Sequence, residues 1–232
     1  MEVLRKYLIG LLLLTALLGF AVPSYADYIA VDPGDYSGTR SLSGGGIIAG
    51  GAWASDNPTL TWDIGLVTDP SSQHYGLVQY TYTWTASTGG ALSHIILEVS
   101  ADATANDFVF VSPWLGIPAT YSSGNSNPNM PYSVYGIKFN REGLPETTTY
   151  EITFYSTRLP MWGDFYAKDG QAGGAGWNTA WNTGFGTDPT GTNFTNWVAV
   201  PDTRVVPLPG ALWLLGAGLL GLVGIRRRMT QA

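Results

Sequence analysis

The chain has 232 residues, no cysteine and a formal net charge of −6 at pH 7. The lack of cysteine excludes disulfides, thiol catalysis, thiolate zinc sites and thioether haem attachment, and two histidines are too few for a histidine-rich metal site. Residues 27–204, called the body below, carry six basic and sixteen acidic residues, a formal charge of −10. Such an acidic body argues against a nucleic acid partner.

Residues 1–26 have the three parts of a secretory signal peptide. Arg5 and Lys6 come before an apolar run at residues 8–20, and Ser24 and Ala26 stand at the −3 and −1 positions of a cleavage site. We expect cleavage after Ala26. The alternative is an uncleaved anchor, but the apolar run is short for a membrane span, which needs about 20 residues.

The body has the length of one domain and the residue pattern of an all-β protein. In residues 74–85, Val78, Tyr80, Tyr82 and Trp84 alternate with glutamine and threonines, which predicts a half-buried antiparallel strand. The other predicted strands are 47–54, 60–67, 94–100, 108–111, 134–140, 149–156, 162–168 and 194–200. These short strands predict an antiparallel β-sandwich, of either jelly-roll or immunoglobulin-like design.

Two segments are predicted as loops. Residues 122–131 are rich in serine and asparagine, and residues 172–191 are rich in glycine, with the triplet Trp-Asn-Thr at positions 177 and 181. A long loop of the second kind is often functional or mobile. The alternative is that Trp177 and Trp181 fold back and cap one end of the sandwich.

A sugar-binding surface is one hypothesis for the aromatic residues of the body. The predicted strand 162–168 places Trp162, Asp164, Tyr166 and Lys168 on one face, where a ring could stack on a sugar while charged groups bind its hydroxyls. The alternative is ordinary aromatic packing with a cross-strand ion pair. The candidate sugar-binding residues are Trp162, Asp164, Tyr166, Trp177 and Trp181.

We predict that the protein is not an enzyme. Asp164 and Asp169, or Glu98 with either, could form a glycosidase pair, but the sequence does not set the separation of these carboxyl groups. His74 or His94 could serve a Ser–His–Asp arrangement, yet no Gly-x-Ser-x-Gly motif is present. Catalytic residues are therefore not assigned.

No cofactor is predicted, and structural calcium is the one metal left open. Asp102, Asn106 and Asp107 lie close in sequence, as do Asp32 and Asp35, but neither group has the EF-hand spacing. The alternative is that these side chains cap turns.

Residues 205–228 form a tail of three parts. A Val206-Pro207-Leu208-Pro209 motif is followed by an uncharged apolar run at 211–225 and then by Arg226, Arg227 and Arg228. Fifteen helical residues reach about 22 Å into a hydrocarbon layer of about 30 Å, so the run is a marginal membrane span. The arginines favour the cytoplasmic side, which places the body outside.

The tail resembles the PEP-CTERM sorting signal in its VPLPA-CTERM variant, with Gly210 where that variant has alanine. The resemblance implies that residues 206–209 are the recognition motif of a membrane-embedded exosortase-type transpeptidase. It also implies that residues 211–225 are the membrane helix and that the arginines are the cytoplasmic stop. The alternative is a plain anchor that no enzyme cuts.

The same resemblance implies an exported protein that is anchored in the membrane through its tail and then reaches the cell surface or the extracellular matrix. In this interpretation it is a non-enzymatic envelope or matrix protein associated with exopolysaccharide or biofilm. The alternative function is a carbohydrate-binding module with an aromatic platform.

Overall fold

The computed structural model describes residues 30–87, 92–111, 113–124, 126–141, 143–171, 174 and 176–204. The predicted signal peptide, with Ala26, and the predicted sorting tail lie outside the described residues. Within the described ranges, no helix is long and apolar enough to cross a membrane.

The described residues form thirteen strands and three short 3-10 helices, at Pro33–Asp35, Gly51–Ser55 and Ala105–Asp107. The strands are β1 Ser37–Ser41, β2 Ile47–Gly50, β3 Thr59–Leu66, β4 Val78–Thr85, β5 His94–Glu98, β6 Phe108–Phe110, β7 Pro118–Tyr121, β8 Val134–Asn140, β9 Thr149–Ser156, β10 Arg158–Gly163, β11 Phe165–Gln171, β12 Trp177–Asn182 and β13 Val198–Arg204.

The strands make a sandwich of two antiparallel sheets. One sheet has five strands in the order β1-β3-β4-β9-β6, and the other has six in the order β2-β12-β11-β5-β8-β7. Strands β10 and β13 form a two-stranded ribbon of their own. The predicted all-β antiparallel sandwich is confirmed.

Strand β4 shows why the alternating pattern specifies this fold. Its residues Val78, Tyr80, Tyr82 and Trp84 are all buried, while the residues between them are partly exposed. One face of the strand therefore builds the core and the other faces solvent, as the period of two requires. Trp84 packs with Trp53, the ring centroids being 5.0 Å apart.

The β10–β13 ribbon packs against the inner face of the five-stranded sheet. Tyr80 Oη donates a hydrogen bond to the Arg158 carbonyl at 2.9 Å, and Tyr82 Oη donates one to the Ala199 carbonyl at 2.7 Å. These hydrogen bonds give the buried phenolic hydroxyls the partners that buried polar groups require. Aromatic residues thus fill the core and also bind the ribbon to it.

Arg158, the first residue of β10, is buried with 1% of its surface exposed. Its Nε donates to the Asp202 carbonyl at 2.7 Å, and its Nη2 donates to Asp102 Oδ1 at 2.7 Å. Its Nη1 lies 3.5 Å from Asp107 Oδ2. Ser100 donates to the Asp202 carboxylate. This cluster joins β10, β13 and the connection from β5 to β6.

The prediction of one strand at residues 162–168 is wrong. The chain leaves β10 and enters β11 at Asp164, because β10 pairs with β13 whereas β11 pairs with β5 and β12. Trp162 consequently packs in the main core, and Tyr166 packs in a small second cluster. The two rings do not share a face.

Two further boundaries differ from the predictions. Residues 172–191 are not one loop, because Trp177–Asn182 forms β12 between β11 and β2. The last strand runs over Val198–Arg204 rather than 194–200, so it continues to the residue before the predicted tail. The predicted loop at 122–131 contains no strand in its described residues.

The core predicts a large cost for truncating Trp84. We expect Trp84→Ala to lower the free energy of unfolding by about 3 to 5 kcal/mol, since a fully buried aromatic side chain is lost. Thr83→Ala, on the other face of the same strand, should change it by less than about 0.5 kcal/mol. Urea unfolding followed by tryptophan fluorescence measures both. Equal midpoints for the two variants would contradict the assignment of the core face.

Candidate functional site

A cavity of about 370 Å³ lies beside the crossing from β10 to β11. Its walls include Glu98 from β5, Trp162 from β10, Asp164 at the crossing, and Tyr132 and Asp188 from loops. Three acidic side chains thus face one small space. The cavity is the most chemically distinctive feature near the predicted sugar-binding residues.

Asp164 is a buried carboxylate that organises one wall of the cavity. Asn182 Nδ2 donates to its Oδ1 at 2.7 Å, and the Gly186 amide donates to its Oδ2 at 2.7 Å. Asn182 also accepts a hydrogen bond from the Phe165 amide at 2.8 Å. Asp164 therefore ties the start of β11 to the end of β12 and to the turn that follows.

Glu98 lies next to Asp164 and is held by it. Glu98 Oε2 accepts a hydrogen bond from the Asp164 backbone amide at 2.8 Å. Burial, and next the nearby Asp164 charge, raise the pKa of Glu98 to about 8. Burial raises the pKa of Asp164 to about 6, against the lowering effect of its hydrogen bonds from Asn182 and Gly186. At neutral pH Glu98 keeps its proton while Asp164 is mostly ionised.

This pair can bind a polar ligand. A protonated Glu98 can donate a hydrogen bond to a hydroxyl group. Both oxygens of Asp164 already accept hydrogen bonds from the protein, which suits a carboxylate that supports local structure. Asp169, the other acid considered as its partner, lies five residues later within β11 and does not line the cavity.

The predicted sugar platform is divided between buried and accessible rings. Trp162 is 3% exposed and stacks on Phe194, with ring centroids 5.3 Å apart. Tyr166 is 0% exposed, and its Oη donates to the Pro128 carbonyl at 2.6 Å. Neither ring offers a free face for stacking on a sugar. The burial of both rings therefore argues against a sugar platform at Trp162 and Tyr166, whose binding role stays a prediction.

Trp177 and Trp181 are partly exposed on the outer face of the six-stranded sheet. The Lys168 ammonium lies 4.6 Å from the centroid of the Trp177 ring, and Trp181 packs against the second cluster. Their sugar-binding role stays a prediction. Sequence reasoning missed Tyr121, Tyr132 and Lys138 on the same side of the molecule, because they come from segments that only the sheet order brings together.

The histidines and the acidic groups considered for calcium have other contacts. His74 stacks on Tyr155 at 3.8 Å between centroids, and His94 is buried in β5. Asp102 and Asp107 face the Arg158 guanidinium, so the cation they contact belongs to the chain. In the part of the chain that the structure describes, no group of three or more His, Asp or Glu side chains is arranged to hold a metal ion.

The raised pKa of Glu98 predicts how stability changes with pH. The folded state holds this proton up to about pH 8, whereas an unfolded chain releases it near its ordinary value of about 4.3. The folded state therefore binds more protons within this window, and the free energy of unfolding should fall as pH rises, by at most about 1.4 kcal/mol per pH unit for one proton.

The variant Glu98→Gln should flatten this slope in urea unfolding series between about pH 5 and about pH 8. Glu151→Gln is the matched control, since Glu151 is exposed on β9. A slope that is equal in wild type and Glu98→Gln would show that the cavity carboxyl does not titrate in this way.

The comparisons with known proteins concern the tail. Residues 205–228 match the family model of the PEP-CTERM protein-sorting motif. No curated protein and no solved structure matches the chain. The chain is therefore a protein that carries a PEP-CTERM sorting motif, and this motif indicates export, membrane anchoring through the tail and processing by an exosortase.

Proposed function

We propose that the protein is a non-enzymatic component of the cell envelope or extracellular matrix whose body associates with extracellular polysaccharide. The sorting motif at residues 205–228 is the observation that carries the proposal, because it places an acidic β-sandwich outside the cytoplasm. In this function the tail directs the protein to the envelope, and the sandwich provides the surface that binds polysaccharide.

The position of β13 supports a structural role at the membrane. Val198, Ala199 and Val200 are all 0% exposed, and the strand ends at Arg204. The sorting motif begins at the next residue. The folded body and the tail are therefore joined with almost no spacer, so a protein held by its tail keeps its body close to the surface that anchors it.

The cavity chemistry supports binding rather than catalysis. A retaining glycosidase needs one carboxylate free to attack, and an inverting one needs a carboxylate free to activate water. Asp164 is engaged by two protein donors and ties β11 to β12 and the turn after it, and a Glu98 that holds its proton can donate a hydrogen bond to a ligand hydroxyl. These are roles in structure and in binding.

A carbohydrate-binding module is the alternative, and it differs in having a specific site. The position of Trp177 favours this alternative, since the ring is partly exposed and lies beside the Lys168 ammonium. An aromatic face next to a hydrogen-bond donor is the arrangement that a sugar ring and its hydroxyls require.

The sorting part of the proposal is tested by intact mass and cell fractionation of the exported protein. We expect loss of residues 1–26 and of about 20 to 25 C-terminal residues, which is the length of a membrane-spanning segment with its flanks. A membrane-bound form that lacks only the signal peptide would favour the plain anchor. Finding the untrimmed chain in the cytosol would overturn the proposal.

The binding part is tested by affinity electrophoresis of the exported protein in gels that contain neutral or acidic polysaccharide. We expect retardation in at least one gel and no release of reducing ends when the same polysaccharide is incubated with the protein. Release that is lost in Asp164→Asn would instead identify an enzyme. Trp177→Ala should lose retardation if the carbohydrate-binding module is correct.

A further inference from the structure

The outer face of the six-stranded sheet carries both lysines of the body. Lys168 of β11 is paired with His94, and Lys138 of β8 is paired with Ile96, so the two lysines flank β5. From strand spacing and register, their Cα atoms are about 12 Å apart. Both side chains are partly exposed. Strand order thus brings together the only two body lysines, which lie thirty positions apart in the sequence.

Each lysine is held by an aromatic ring and not by a carboxylate. The Lys168 ammonium is 4.6 Å from the centroid of Trp177, and the Lys138 ammonium is 5.9 Å from that of Tyr121. Among the ion pairs of the described residues, none includes either lysine. A cation over a ring keeps its full charge. The face therefore presents two positioned, unneutralised cations on an acidic body.

Two buried polar side chains lie beside these cations. Asn127 is 5% exposed and His94 is 3% exposed, and a hydrogen bond with Asn127 acts to raise the pKa of His94 against the larger effect of burial. The loop that carries Asn127 is thereby held against β5. Asn127 also lines, with Lys138 and Tyr121, a second cavity of about 410 Å³.

The walls of this second cavity are suited to hydroxyl groups. Ser122, Ser123 and Ser126 line it together with Thr120. Each hydroxyl can both donate and accept a hydrogen bond. A ligand with many hydroxyls and an anionic group would therefore find partners for both, the hydroxyls at the serines and the anion at Lys138.

The electrostatics of the face favour anionic groups beside each of the lysines. Burial, together with the nearby Lys138 and Lys168 charges, lowers the pKa of His94 to about 3, so the histidine is neutral at physiological pH. The pKa of Lys138 is also lowered, by burial and then by Lys168. Two like charges that repel each other across β5 would both be stabilised by a shared polyanionic ligand.

We infer that this face binds an acidic polysaccharide through paired contacts of Lys138 and Lys168 with its anionic groups, while Trp177 and Tyr121 pack against sugar rings. The inference rests on the proposed association with polysaccharide, gives it the specific site of the carbohydrate-binding alternative, and names the ligand class. The body charge of −10 does not prevent such binding, because charges beyond about 8 Å are largely screened at physiological ionic strength. The negative charge on the rest of the body confines contact with the polysaccharide to this face.

The test is affinity electrophoresis of the exported protein in gels with polygalacturonate, dextran sulfate or neutral dextran, each compared with a gel without polysaccharide. Lys138→Met and Lys168→Met should each weaken binding to an acidic polysaccharide about fivefold to tenfold, as loss of one charge-assisted contact implies. The double variant should show almost no retardation.

Two controls separate loss of a contact from loss of charge or fold. Arg141→Met removes a cation that is already near Glu146, at 3.8 Å, and should change affinity less than about twofold. Lys138→Arg and Lys168→Arg should retain binding. Retardation by both acidic polymers indicates a site for any anionic group, and retardation by polygalacturonate alone indicates uronate recognition; both support the inference.

Other outcomes overturn it. Undiminished binding of the double Lys→Met variant to an acidic polymer would exclude this face as the site. Retardation of wild type only in neutral dextran would overturn the inference and leave the proposed function standing. No retardation in any gel would remove the polysaccharide part of the proposed function as well.

Discussion

The position of β13, the strand that leads into the tail, depends on one buried cation, the Arg158 guanidinium. It joins β10 to Asp202 of the last strand and to two acidic side chains beyond β5. Burial raises the pKa of Asp202, even though Ser100 and Arg158 both act to lower it. Burying such a charge cluster costs desolvation energy, and its loss would leave carboxylates uncompensated. The cluster therefore fixes the position of β13 at Asp202. The strand ends two residues later, and the sorting motif begins directly after it.

An exported body without cysteine has to hold this arrangement by packing and hydrogen bonds alone. The core meets the requirement with large aromatic residues, several of which also have polar functions. Tyr80 stacks on Phe154 at 5.3 Å while its hydroxyl binds the β10 backbone, and Tyr82 does the same for β13. Aromatic rings thus supply the buried area, and phenolic hydroxyls orient the ribbon that leads to the tail.

The elements that could be predicted from the sequence follow one local pattern, the alternation of apolar and polar residues. The elements that were missed depend on which strands they pair with. Strand β4 was predictable because its aromatic residues alternate without interruption. Strand β12 was missed because Asn178 and Asn182 appear polar, yet both are buried and accept backbone hydrogen bonds. The break at Asp164 arises from a change of partner strand, which no local pattern records. Glu98 was a sequence candidate, but only the sheet register places it beside Asp164.

The outer face of the six-stranded sheet separates its charges along the strands. Glu98 and Asp164 lie at one end, Lys168 lies at the other end opposite His94, and Lys138 lies opposite Ile96 in the middle of β5. The hydrogen bond from Tyr166 to the Pro128 carbonyl anchors a loop over the cluster around Ile96. At the acidic end Asp164 is buried and burial raises the pKa of Glu98 to about 8, whereas the neighbouring Asp188 is exposed. An acidic polymer of the kind proposed above would therefore make its favourable contacts at Lys168 and Lys138 and meet repulsion towards Asp188, which sets the direction in which it could extend along this face.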